Sequence, residues 1–263
     1  MDMDSPSTVL AACALGGFVF FSLSTAFSKT MLTMLAEERR PFTASCITAF
    51  FNASFVSPLS IYSAWQFLGT ASSSVFECVK GQPSVLTTPT SMAGIVAVGL
   101  TCGYFMADTM MLIRDPVQMK KDLGGQTQYL IMWMHHVISL IVWPYCMLEG
   151  KAVYFVLYYM VTEITNVGQN AYLILREFKS SLETSIGVAW IASFFAVRVL
   201  PVPWLLYLYG KMFFLQSREA CGLNAAEYAV GLSTVLIPIA LNLFWFSLMV
   251  KKIQRMFSKT KKK

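Results

Sequence analysis

The chain is poor in charge and in histidine. Of its 263 residues 13% are charged, against about 25% in an average soluble domain, and only two are histidines. With 56% hydrophobic residues and a mean hydropathy of +0.58, this composition excludes an ordinary soluble globular domain. The six cysteines contain no C-x-x-C pair, so no zinc-type ligand spacing is present and no metal is expected. No basic residue precedes the first apolar run. Asp2 and Asp4 come before it and Lys29, Arg39 and Arg40 after it, the reverse of a cleavable signal peptide. The sequence pI of about 9.0 invites a nucleic-acid partner, but of the formal charge of +6, seven positive charges lie in Lys251–Lys263, which leaves −1 elsewhere. The basicity is that of a juxtamembrane tail suited to anionic headgroups or to solvent, and no nucleic acid is expected.

What is abundant is apolar length. Seven runs approach the ~20 residues that cross about 30 Å of hydrocarbon as a helix: Val9–Ser28, Phe42–Leu68, Met92–Ile113, Tyr129–Leu148, Ala152–Leu175, Thr184–Leu208 and Ala226–Val250. They predict an all-α membrane protein with seven transmembrane helices. Residues 1–34 form an N-terminal segment with the first helix, 35–253 a six-helix body, and 254–263 a basic tail. Alternate loops carry 15 and 4 Lys and Arg residues, which by the positive-inside rule predicts a non-cytosolic N-terminus and a cytosolic C-terminus. Prolines 58, 144, 201, 203 and 238 predict kinks, because proline removes a backbone donor and clashes one turn back. The Ser-, Thr- and Pro-rich loop Gly69–Ser91 reads as irregular.

Within this apolar background the polar residues stand out. His135 and His136 are adjacent inside the fourth run, where a polar or charged group is costly and normally faces the bundle interior. A rise of 1.5 Å per residue puts them and Asp108 at about 8–11 Å inside the same end of the bundle, with Glu163, Arg198 and Asn52 deeper. Glu163, Asn166 and Asn170 follow i, i+3, i+7 on one helix face, and Tyr104 and Asp108 follow i, i+4. The first run carries no such group and is expected to be peripheral, and the asymmetry predicts a polar cavity open toward the cytosol. The bland alternatives are a structural Asp108–Arg198 ion pair and asparagines that merely join helices at about 0.6–2 kcal/mol each.

Gly103-Tyr104-Phe105 with Asp108, Met134-His135-His136, an acid 27 residues beyond the second histidine, and Phe194-Phe195 with Arg198 occur in that order on successive runs. In this the chain resembles the TLC-domain proteins over about residues 35 to 253, and in particular their small members. The resemblance implies a six-helix TLC-type bundle with one peripheral helix. Among its members are ceramide synthases, in which a histidine pair in a lipid-lined tunnel takes part in acyl transfer from acyl-CoA to a long-chain amine. The implied catalytic set is His135, His136 and Glu163. His136 would act as base or acyl acceptor, and Asn52, Tyr104, Asp108, Asn166, Asn170 and Arg198 would line the substrate, with Arg198 or Asn52 facing an oxyanion.

The implied partners are membrane lipids, acyl-CoA as co-substrate, and a sphingoid base or other lipid acceptor. The chain departs from the synthases in carrying Glu163 and Asn166 where they have two aspartates, and Asn52 where many relatives have a histidine. Two function classes therefore stand: acyltransferase, and a non-enzymatic lipid-binding regulator or trafficking receptor.

Three features bear on location. Lys259 and Lys261 stand five and three residues from the end, a dilysine retrieval pattern of endoplasmic-reticulum membrane proteins in a tail lysine-rich enough to hold it by chance. Cys78 and Cys221 fall in loops assigned to one non-cytosolic compartment, either as a disulfide or as two thiols. The Asn52-Ala53-Ser54 sequon lies mid-run and is expected to be unglycosylated.

Overall fold

A computed structural model describes residues 5–70, 77, 84 and 90–260. Cys78, Lys261 and most of the loop between Gly69 and Ser91 lie outside the described residues. The architecture is helical. In chain order the helices are α1 (Pro6–Met31), α2 (Arg40–Thr70), α3 (Met92–Arg114), α4 (Pro116–Leu123), α5 (Gln126–Glu149), α6 (Val153–Thr162), α7 (Ile164–Glu177), α8 (Glu183–Phe194), α9 (Val202–Phe214), α10 (Ala225–Thr234) and α11 (Leu236–Thr260).

Helix starts follow local chemistry. Ser5 and Ser91 cap α1 and α3 by accepting from the N–H groups of Thr8 and Gly94, and Asp115 caps α4 with Pro116 at its first position. Asn224 and Glu227 form a reciprocal capping box on α10. α5 stops at Gly150, whose φ of 64° is left-handed and costs glycine little.

Among the described residues six helical stretches are long and apolar enough to cross a membrane: 6–31, 37–69, 92–114, 126–149, 183–214 and 225–254. The run expected as the fifth span is made instead of two short helices, α6 and α7, which meet at Glu163. The Glu163 backbone stays right-handed (φ −60°, ψ −19°), but its N–H bonds the Met160 carbonyl three residues back, so the regular hydrogen-bond ladder is interrupted at a functional candidate. Two other breaks coincide with expected kinks. Between α8 and α9 lies a π-helical turn, Phe195–Val199, ahead of Pro201, and α10 gives way to α11 just before Pro238. Pro58 and Pro144 remain inside continuous helices. α11 runs to Thr260, so the tail expected after the last run begins as helix.

α2 is central, packing against α3, α6, α7 and α1, while α3 also packs against α1 and α5. Phe155, Leu157 and Met160 of α6 and Leu205, Leu208 and Met212 of α9 are buried in the main hydrophobic core. α1 sits on the flank of the bundle, held backbone to backbone. A methyl built on Gly103 would lie 2.5 Å from both the Ala14 carbonyl oxygen and the Phe18 nitrogen, and one on Gly99 2.6 Å from Cys13 Cβ. Gly99 and Gly103 are four apart, the small-residue spacing that lets membrane helices approach closely. Cys221 is disulfide-bonded, while Cys13, Cys46, Cys102 and Cys146 are free.

Candidate functional site

The described residues line two cavities inside the bundle, of about 390 and 550 Å³. His135, Glu163, Arg198 and Trp245 line both, so the cavities abut at these four side chains. The smaller cavity runs toward the end of the bundle that carries Lys151 and Glu227. The larger runs toward Gly124 and Gln128, and Tyr104, Asp108, His136, Asn166 and Asn170 also line it. The larger cavity thus lies at the end of the bundle that the loop charges led us to expect on the cytosolic side, and the second cavity was not foreseen. α1 lines neither, as its lack of polar residues led us to expect.

The two histidines differ in setting. His136 is 2% exposed and stacks on Phe105 with ring centroids 4.6 Å apart. Its Nε2 lies 3.7 Å from Asp108 Oδ2, and its Nδ1 lies 3.2 Å from Thr109 Oγ1. The Ser45 hydroxyl donates to the other Asp108 oxygen at 2.8 Å, so α2, α3 and α5 together fix this ring. His135, one residue and about 100° around the helix, meets the edges of Phe105, Trp143 and Trp245. Among the described residues neither of its ring nitrogens has a hydrogen-bond partner, and both cavities reach it.

Glu163 and Arg198 form a second cluster. Arg198 donates to Thr165 Oγ1 at 2.7 Å, the Thr162 carbonyl at 2.9 Å, Asn166 Oδ1 at 3.0 Å and Asn242 Oδ1 at 3.3 Å. One of its terminal nitrogens stands 3.6 Å from Glu163 Oε1, and Asn166 donates to Glu163 Oε2 at 2.6 Å. The guanidinium also lies over the Phe194 ring at 5.2 Å. The alternative of an Asp108–Arg198 ion pair is corrected here: Arg198 pairs with Glu163, while Asp108 serves Ser45 and His136. The π-helical turn carries Arg198, and such turns are frequent at functional positions.

Asn170 donates to the Asn166 backbone oxygen at 2.8 Å, partly the structural role its spacing allowed. Asn52 is buried on α2 at 1% exposure and lines neither cavity; among the described residues its Oδ1 has no partner. Ser45, Thr109, Thr162, Thr165 and Asn242 complete the two clusters without having been singled out. Hydroxyls are common in membrane helices and gave no signal, but Asn242, an amide inside an apolar run, could have been noticed. Among the described residues no three His, Cys, Asp or Glu side chains gather as a metal site would require.

A bundle of membrane-length helices that encloses an imidazole and a paired carboxylate and guanidinium defines an intramembrane polar site in a multi-pass membrane protein. The sequence matches the TLC domain over residues 42–251, and the chain belongs to the TLC-domain family. A search of curated proteins finds none that matches it.

Proposed function

We propose that this chain acts on lipids within the endoplasmic-reticulum membrane, by acyl transfer from acyl-CoA to a long-chain amine such as a sphingoid base. The observation that carries this reading is His135, unbonded at the junction of two cavities, beside a histidine held between Asp108 and Thr109. Two cavities meeting at one imidazole provide for an acyl donor and an acceptor to reach the same group from different directions. His135 takes a proton from the amine as its nitrogen attacks the thioester carbonyl. The C–N bond forms, the C–S bond breaks, and the departing CoA sulfur receives the proton. Arg198, the cation that lines both cavities, faces the oxyanion. His136, stacked on Phe105 with its Nδ1 bonded to Thr109 Oγ1 and Asp108 beside its Nε2, keeps its neighbour's backbone in place.

The orientation in the membrane rests on the 15-to-4 loop charge asymmetry, which favours a cytosolic tail after the last run. A second reading, a lipid-binding regulator without chemistry, is favoured by one observation. Glu163 is taken up by Arg198 and Asn166 and so is not free as an acid or base.

Purified protein with acyl-CoA and a sphingoid base decides between them. On the enzymatic reading His135→Ala lowers N-acyl product by about 100-fold or more, while the variant folds as the parent does. No product from the parent with any long-chain amine or lysophospholipid, together with full rescue of a knockout by His135→Ala, leaves the regulator reading.

A further inference from the structure

The smaller cavity has a feature that acyl transfer at His135 does not use. Its walls are apolar, from Ile138, Ile141, Phe155, Val230 and Leu241, but its far rim carries Lys151 and Glu227. These side chains form a loose ion pair. Their nearest atoms are 3.7 Å apart, longer than the about 2.7–2.9 Å of a direct charge-assisted hydrogen bond.

Each is held by a different neighbour. The Lys151 ammonium donates to the Gly222 carbonyl at 2.8 Å, next to the disulfide-bonded Cys221. The Glu227 carboxylate accepts from the Asn224 backbone N–H at 2.7 Å, as part of the α10 capping box, and from the Tyr145 hydroxyl at 3.2 Å. A cation and an anion are thus fixed side by side at the mouth of an apolar pocket, each with bonding capacity to spare.

We propose that this rim binds the headgroup of a zwitterionic phospholipid whose acyl chain enters the smaller cavity. The phosphate meets Lys151 and the headgroup ammonium meets Glu227. The apolar walls select an amphiphile, and the rim selects its head. A locally balanced pair gives no net attraction to an anionic headgroup, which would meet Glu227 as a like charge, whereas a zwitterion satisfies both. An uncharged head such as a diacylglycerol hydroxyl leaves the two charges without partners for their remaining bonds. The site lies at the opposite end of the smaller cavity from His135, so it stands whether or not acyl transfer occurs there.

The full chain is reconstituted in phosphatidylcholine vesicles containing a trace of a phospholipid with a photoreactive diazirine near the end of one tail. The head of this probe is phosphatidylcholine, phosphatidylglycerol or diacylglycerol. Photolabelling of peptides from α5 and α10 is expected to be at least five-fold greater with the phosphatidylcholine probe than with either of the others. Lys151→Met should reduce the phosphatidylcholine label at least three-fold. Glu227→Gln, which retains a helix-capping amide, should shift the preference toward phosphatidylglycerol. Equal labelling by the three probes in the parent protein overturns the proposal without recourse to any variant, and so does a parental preference that neither substitution alters.

Discussion

Arg198 lies 3.6 Å from Glu163, and Asn166 donates to one of these side chains and accepts from the other. This is a closed polar knot among α6, α7 and the π-helical turn, with both charged side chains less than a tenth exposed. Pairing two buried charges does not by itself stabilise a fold, because desolvation offsets the attraction. Removing one partner is another matter, since it strands the other.

Arg198→Met is therefore expected to destabilise the protein by about 3–5 kcal/mol, read as a lower unfolding midpoint in detergent. Glu163→Gln should cost less, because its amide can still accept from Arg198 and Asn166. The double variant should be more stable than the sum of the single effects predicts, and simple additivity would show that the two side chains do not act as a pair.

The contact between α1 and α3 makes a second prediction. Gly103→Ala places a methyl against the backbone of α1, so its cost is that of overpacking, about 1–3 kcal/mol. Gly16→Ala is the control, because nothing lies within 4 Å of a methyl there. It should be neutral or slightly stabilising, since alanine is favoured over glycine in a helix. Equal midpoints for the two variants would mean that α1 does not dock through Gly103.

A third prediction concerns acid. Outside the apolar runs, Arg39, just ahead of α2, ties that end of the bundle to α7 and α4 by donating to Glu177 and Asp122. Hydrogen bonding to Arg39 holds the Glu177 carboxyl below its ordinary value of 4.5. A carboxyl whose value is depressed in the folded state adds stability above its ordinary value and loses that stability as pH falls through the folded one. The parent's unfolding midpoint should therefore fall more steeply than that of Arg39→Gln as pH drops from 5 toward 3, while at pH 7 the parent should be the more stable. Parallel curves for the two proteins would remove Glu177 from the acid response.

Much of the site could be read from the chain because polarity inside hydrocarbon is rare. His135, His136, Asp108, Glu163 and Arg198 were conspicuous against apolar runs, and helical spacing placed Glu163 and Asn166 on one face. Spacing could not say which histidine is pinned. That depends on Asp108 and Thr109 of α3 and on Ser45 of α2, whose side chains reach Asp108 and His136 only after three helices have packed. Asn52 was grouped with the site by its depth and by standing where many relatives have a histidine, and neither says anything of rotation. The side of α2 on which Asn52 lies is decided by packing, and it is not the cavity side.

The sequence by itself determined the class: its apolar lengths, scarce charges and ordered motifs specify a multi-pass helical membrane protein of the TLC-domain family, because hydrocarbon tolerates little else along a continuous run. Only the tertiary structure decided that Arg198 belongs to Glu163 rather than Asp108, that the fifth run breaks at Glu163, and that two cavities abut at His135. These are relations between side chains on different helices, fixed by crossing positions and helix rotations that no single helix's periodicity encodes.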